Sequence, residues 1–231
     1  MKISGSTVLL TGANRGLGMH LAEQLVARGA TVYAGARRPE TVAVPGAIPV
    51  RLDVTDPESI AAAAKAATGI SIVINNAGSF TGASVTDGSM DDVRLEMETH
   101  YFGPLEVARA FAPQLAENGG GAILNVLSVL SWLTYPGFSA YSAAKSAAWS
   151  LTSALRNEYS AQGTQVTALH VGFMDTDMVG HIEASKHEPG DIAKLGIDAI
   201  EDGAAEVMDE QSRLTQGNLA GGVAALYSSV G

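Results

Sequence analysis

The sequence predicts one doubly wound α/β domain, a parallel sheet of about seven strands with helices on both faces. Three observations point there. Short β-branched runs alternate with stretches of helical length. Most of those runs are apolar throughout, as strands covered on both faces require. Glycines stand at the joints: Gly29, Gly69 and Gly163 each follow a helical stretch and precede a strand, where a left-handed residue ends a helix.

The elements follow in order. Thr7–Thr11 is the first strand, Gly16–Arg28 a helix and Thr31–Ala36 the second strand. Ala47–Leu52 is the third. Pro57 after Asp56 opens a helix over Pro57–Ala67, because proline suits a first helical turn. Ile70–Asn75 is the fourth strand, followed by a long helical stretch over Met90–Glu117. Ala122–Ser128 is the fifth strand, Tyr141–Gln162 a helix and Gln165–His170 the sixth strand. An acid-rich window, Asp202–Glu210, holds a short strand at Ala205–Met208. No low-complexity linker divides the chain, so residues 1–231 are expected to form a single domain, with a substrate loop at about 172–190.

Composition narrows the function. The chain is 46% hydrophobic and 16% charged, which argues against disorder. Its 26 glycines in 231 residues are about 11%, against roughly 7% in ordinary chains. The net charge of −10, with no basic run longer than Arg37-Arg38, argues against nucleic acid as a partner. Cysteine is absent, which removes disulfides and thiolate chemistry and fits a reducing compartment. No uninterrupted apolar stretch approaches membrane-spanning length, and the first residues do not read as a signal peptide. A soluble cytoplasmic protein is expected.

The turn after the first strand reads Thr11-Gly12-Ala13-Asn14-Arg15-Gly16-Leu17-Gly18. Glycines there let backbone approach a pyrophosphate, with the next helix's N-terminus facing its charge. With a strand before it and a helix after it, the loop is expected to be a dinucleotide site in a Rossmann-like domain, an ordinary strand–helix turn being the competing explanation. The second strand ends Ala36-Arg37-Arg38. A carboxylate there would suit the ribose hydroxyl of NAD, whereas arginine suits the 2′-phosphate of NADP. Arg15 and Arg37 can converge on that dianion, so NADP(H) is the expected cofactor. A solvated pair at a loop start is the competing explanation of Arg37-Arg38.

Further on stand Asn75-Asn76-Ala77-Gly78, then Ser128, then Tyr141-Ser142-Ala143-Ala144-Lys145. Tyr141 and Lys145 share a helix face, and an ammonium fixed beside a phenol would lower its pKa toward working pH. Such a tyrosine can give a proton to a carbonyl oxygen or take one from an alcohol. A strand-end serine can polarise the same oxygen. With these motifs, in this order, the chain resembles the short-chain dehydrogenase/reductase family over roughly residues 5–180. The resemblance implies Tyr141 as acid–base, Ser128 on the substrate oxygen, and Lys145 also on the nicotinamide ribose. It further implies contacts to the adenine from Asp53-Val54, a cofactor-lining brace at Asn76-Ala77-Gly78, and a nicotinamide contact from Thr176.

Two departures stand out. His100 occupies the place where the family usually carries an asparagine of the proton relay, and a histidine there can bond backbone and relay protons. Val171 replaces a usual proline, which would loosen the start of the substrate loop. Substrate contacts are expected from Trp132, Tyr135, Phe138, Phe173 and Met178, favouring a hydrophobic or aromatic ketone or aldehyde and its alcohol. The histidines at 181 and 187, each followed closely by glutamate, read as a solvated lid rather than a metal site. The resemblance also implies a homodimer or homotetramer. At 231 residues the chain is short for the family, so an open pocket is expected. The leading function is an NADPH-dependent carbonyl reductase. The alternative is a non-catalytic protein of the same fold that binds or senses NADP(H).

Overall fold

Strand and helix alternate along the computed structural model, which describes residues 1–179, 183 and 185–227. The strands are β1 (Thr7–Thr11), β2 (Thr31–Ala36), β3 (Ile48–Arg51), β4 (Ile72–Asn75), β5 (Ala122–Val126), β6 (Gln165–His170) and β7 (Glu206–Met208). All pair in parallel, in the order β3-β2-β1-β4-β5-β6-β7. The chain builds outward from β1 in one direction, then returns to lay β4 on the other side. That reversal opens a crevice between the carboxyl ends of β1 and β4.

Successive strand residues point to opposite faces, so both faces need cover. Val8, Leu10, Ile72, Ile74 and Leu124 pack under α1 (Gly16–Ala27) and α6 (Pro189–Asp202). Leu9, Val73, Ile123 and Val166 pack under α2 (Pro57–Ala66), α4 (Gly103–Glu117) and α5 (Ser139–Glu158). The residues named on the two sides are at most 2% exposed, which explains the unbroken apolar runs. Gly29 and Gly163 adopt left-handed φ values of 84° and 78° before β2 and β6, as their places between helix and strand require.

Three stretches differ from the sequence reading. The helix expected over Met90–Glu117 is α3 (Met90–Met97), a π-helical turn (Glu98–Phe102) and then α4. Pro104 brings no N–H to the ladder at this junction, and Gly103 N–H instead bonds the Glu98 carbonyl five residues back. The helix α5 begins at Ser139, before Tyr141, and gives way after Glu158 to a turn that runs to Gln162. Finally, α6, α7 (Glu210–Asn218) and the short α8 (Gly222–Leu226) add helix after β6.

Phe111 of α4 is wholly buried against the second face. Phe111→Ala is expected to cost about 3–5 kcal/mol of stability, read as a lower urea midpoint with an unchanged slope.

Candidate active site

A cleft of about 540 Å³ fills the crevice. It gathers every residue expected to hold a dinucleotide. Gly12, Asn14, Arg15, Gly16, Leu17 and Gly18 come from the first turn, and Arg37, Asp53 and Val54 from beyond β2 and β3. Asn76, Ala77 and Gly78 follow β4, Tyr141 and Lys145 stand on α5, and Thr176 lies beyond β6. The glycine loop is fixed by a brace that the sequence reading missed in part. Thr11 Oγ1 accepts from the N–H groups of Asn76 (3.0 Å) and Ala77 (2.9 Å), and Asn76 Nδ2 donates to the carbonyls of Thr11 (3.0 Å) and Gly12 (3.1 Å). A Cβ at residue 18 would stand 2.0 Å from the Gly12 carbonyl oxygen, so only glycine fits.

The first turn of α1 carries no acid, and Arg15 at its N-cap makes no side-chain cap. Its leading N–H groups and the positive end of its dipole are therefore suited to an anion. Arg37 and Arg38 line the same end of the cleft. Arg15 Nη1 lies 3.8 Å from Asp177 Oδ2 in an exposed pair, weak enough for a ligand to displace. The Asp53 carboxylate is engaged locally, accepting from Thr55 N–H (3.0 Å) and Thr55 Oγ1 (2.8 Å). Asn14 Nδ2 reaches Thr41 Oγ1 at 3.0 Å and ties the loop to the segment after β2.

Behind the opposite wall, Ser128 follows β5 and accepts from Leu130 N–H at 3.1 Å, and its hydroxyl bonds the Tyr141 phenol. One helical turn on, the Lys145 ammonium lies over the Tyr141 ring, 5.5 Å from its centroid, and donates to the Val126 carbonyl at 2.9 Å. Burial pushes Lys145 down from 10.5 to about 8, although the charge of Glu96 works against this. The expected lowering of Tyr141 is reversed. Burial of its hydroxyl raises it and Glu96 adds to the rise, while the Ser128 bond opposes both. Lys145 faces the ring and not the hydroxyl, so desolvation prevails and the group is a protonated phenol at neutral pH.

His100 lies in the π-helical turn with its ring edge against Tyr141, centroids 5.1 Å apart. Its Nε2 meets the Ser79 carbonyl at 3.0 Å and Glu96 Oε2 at 3.2 Å, so it does bond backbone. Burial and the Lys145 charge depress its pKa and keep it neutral, although Glu96 and Ser79 oppose this. Behind it a cavity of about 10 Å³, lined by His100, Lys145, Asn75 and Asn125, is large enough for a single water.

The short chain dehydrogenase family profile matches residues 6–187. The chain belongs to this family. A short chain dehydrogenase from Burkholderia cenocepacia J2315, solved in complex with NADP, superimposes with a TM-score of 0.93 at 37% identity, covering 99% of this chain and 98% of that one. An oxidoreductase of Botryotinia fuckeliana, BOA17, is 35% identical over 74% of this chain, a match that spans 66% of its own length. Gluconate 5-dehydrogenase of Gluconobacter oxydans is 32% identical over 80% of this chain and 77% of its own.

Not every residue expected on the substrate side of this family site is there. Phe138 stacks on Phe80 (4.8 Å between centroids) and approaches Tyr135 and Phe173, while Phe80 meets the Tyr141 ring edge-on. These aromatics stand beside the phenol, and Met178 lines the cleft itself. Trp132 does not join them. It stacks on His170 at 4.3 Å and meets Trp149 edge-on, because the turn after Ser128 directs the indole toward β6 and the outer side of α5.

Nor does Val171 loosen the substrate loop. Val171 is buried, its carbonyl accepts from Val129 N–H at 2.9 Å, and Gly172 N–H bonds the Asp209 carboxylate. Residues 180–182 and 184 of the expected lid, His181 included, lie outside the described residues. Among the described residues no group of three His, Asp or Glu side chains is placed to hold a metal, and no helix is long and apolar enough to cross a membrane.

Lys145 yields a stability prediction. Its pKa is lower folded than unfolded, so the penalty for burying its charge is complete below pH 8 and disappears as pH rises toward 10.5. After allowing for the lost bond to Val126, Lys145→Met is expected to gain roughly 2 kcal/mol at pH 7. Urea midpoints should show that gain shrinking between pH 8 and 10.5; a gain independent of pH would point to another cause.

Proposed function

We propose that this chain is an NADP(H)-dependent oxidoreductase that interconverts a hydrophobic or aromatic carbonyl compound and its alcohol, with Tyr141 as the acid–base. The observation that carries this reading is the meeting of Ser128 with Tyr141 and Lys145, the latter two on the wall of the cleft that also holds the glycine loop. The residues present suit the dinucleotide. The N-terminus of α1 would take the pyrophosphate, Arg15 and Arg37 the 2′-phosphate, and Asp53 with Val54 the adenine. Ala36 closes β2 with no carboxylate to repel that phosphate. Asn76, Ala77, Gly78, Lys145 and Thr176 would line the nicotinamide half.

Bound NADP(H) supplies or accepts the hydride. The protein's part is proton transfer and alignment. Ser128 and Tyr141 hold the substrate oxygen between two hydroxyls and polarise it. In reduction the Tyr141 phenol, protonated at neutral pH, gives its proton to that oxygen; in oxidation it takes the proton back. Lys145 places a positive charge beside the tyrosine as it loses its proton. Phe80, Tyr135, Phe138 and Phe173 offer an apolar wall with no cation, which favours an uncharged ring or chain on the substrate. Exposed Leu95, Phe102 and Trp149 on α3 to α5 support a homo-oligomer.

NADPH consumption against a panel of aryl and alkyl ketones and aldehydes tests the reading. Tyr141→Phe is expected to lower kcat by about 10²–10⁴-fold while NADPH still binds. Tight NADPH binding with no turnover of any carbonyl would replace this proposal with the sensing role. Separately, Arg37→Asp should cut the preference for NADPH over NADH by about 10- to 100-fold in kcat/KM. An unchanged ratio would refute the phosphate assignment.

A further inference from the structure

Glu96 is the buried charge that the proposed reaction leaves unexplained. Its side chain has no exposed surface, and a carboxylate placed there is unfavourable unless hydrogen bonds replace its water. Such bonds are present. Glu96 Oε1 accepts from Thr81 N–H at 2.5 Å, and Oε2 accepts from Ser79 Oγ at 2.9 Å and faces His100 Nε2 at 3.2 Å. Burial pushes the carboxyl up, but the hydrogen bonds from His100, Thr81 and Ser79 outweigh it and leave it below the usual carboxylate range.

The same contacts decide the state of His100. Its Nε2 stands against two acceptors, Glu96 Oε2 and the Ser79 carbonyl. Two acceptors against one ring nitrogen favour the hydrogen on it, although Ser79 N–H also points at that nitrogen from 3.3 Å. In a neutral imidazole the lone pair then sits on Nδ1. This ring abuts Tyr141 and shares the small cavity with Lys145.

We propose that Glu96 is a positioning residue: by accepting the Nε2–H of His100 it fixes one tautomer and one rotation of the imidazole, and so presents a ring with an acceptor Nδ1 to the Tyr141–Lys145 pair. The inference rests on the oxidoreductase reading above. The charge of Glu96 acts in the same direction, favouring the Lys145 cation and the protonated Tyr141 phenol. The titratable groups facing this cluster are His100 on its own helical segment and Tyr141 and Lys145 on α5. Behind them His170 on β6 senses the Lys145 charge.

Glu96→Gln is the informative variant, because one amide oxygen cannot serve both Thr81 N–H and the His100 Nε2–H and the negative charge is gone. It is expected to lower kcat at least tenfold, less than the roughly 10²–10⁴-fold loss of a general acid, with KM for the carbonyl changed less than about twofold. The alkaline limb of kcat should move to lower pH. Glu96→Asp should recover part of both, and in a His100→Asn background Glu96→Gln should cost less than about twofold. Nitrogen-15 NMR should find His100 protonated at Nε2 in the unaltered protein and not in Glu96→Gln. A variant that merely melts earlier, with kcat and its pH limb unchanged, would overturn the proposal, and so would an Nδ1–H tautomer in the unaltered protein. Should Glu96→Gln fail to fold, the native tautomer and the limb of Glu96→Asp decide. If the native chain reduces no carbonyl, the reaction proposed above fails, while the His100 tautomer still decides the role of Glu96.

Discussion

The cleft depends on one set of hydrogen bonds where β1 and β4 end side by side. Thr11 receives both N–H groups that open the turn after β4, and Asn76 returns its amide to the carbonyls that open the glycine loop. Neither turn can shift without breaking bonds in the other. The constraint continues inward. Asn75 donates to Asn125 on β5 at 2.8 Å, Asn125 donates to Thr152 on α5 at 2.9 Å, and α5 carries Tyr141 and Lys145. The loop suited to a phosphate and the helix bearing the phenol are thus tied through three neighbouring strands. Rigid support of this kind lets the phenol and the glycine loop keep their spacing.

Burial then determines the chemistry. Lys145, Glu96 and His100 all sit where water is largely excluded, and each would be more stable as a neutral or apolar group. What keeps the cluster charged is reciprocity: Glu96 is satisfied by three donors, and its field favours the Lys145 cation. The same field and the same burial hold the Tyr141 phenol protonated. An isolated Tyr-x-x-x-Lys pair on a solvated helix would have behaved in the opposite way, with the cation drawing the phenol down. Placing the ammonium over the ring, with its hydrogen bond spent on Val126, removes most of that pull.

Much of this was legible in the chain. β1, β2 and β6 fall at the predicted residues because continuous apolar runs between glycines have few other uses. The glycine loop, Asn76–Gly78, Tyr141 and Lys145 were legible because each is a local signature of fixed spacing. The misses are of another kind. Trp132 is one aromatic among several near the site, and only the turn after Ser128 determines that its indole points to His170. The helix α6 escaped notice although Pro189 at its start and the spacing of Ile192, Ile197 and Ile200 carried a signal. Glu96 gave no sign of its burial, because an acid one turn before a histidine reads as a solvated helix pair. Its environment is made by Ser79 and Thr81, far away along the chain. The direction of the Tyr141 shift was out of reach for the same reason: the residue types name the partners, and the enclosure decides which influence prevails.

The loop that follows β6 is held at its base. Its base is closed by a short ladder, with His187 N–H on the Phe173 carbonyl (2.8 Å) and Asp175 N–H on the His187 carbonyl (3.0 Å). Asp209 clamps that base from below: it bonds Gly172 N–H, faces His187 Nε2 at 3.4 Å, and accepts from Ser212 N–H at 2.7 Å as the cap of α7. Phe173 and Thr176 stand next to this base, one against Phe138 and the other against Gly16 across the cleft. Phe138 and Phe173 thus form a wall with little freedom. The charged end of the cleft is looser, since Arg15 is held there only by an exposed pair.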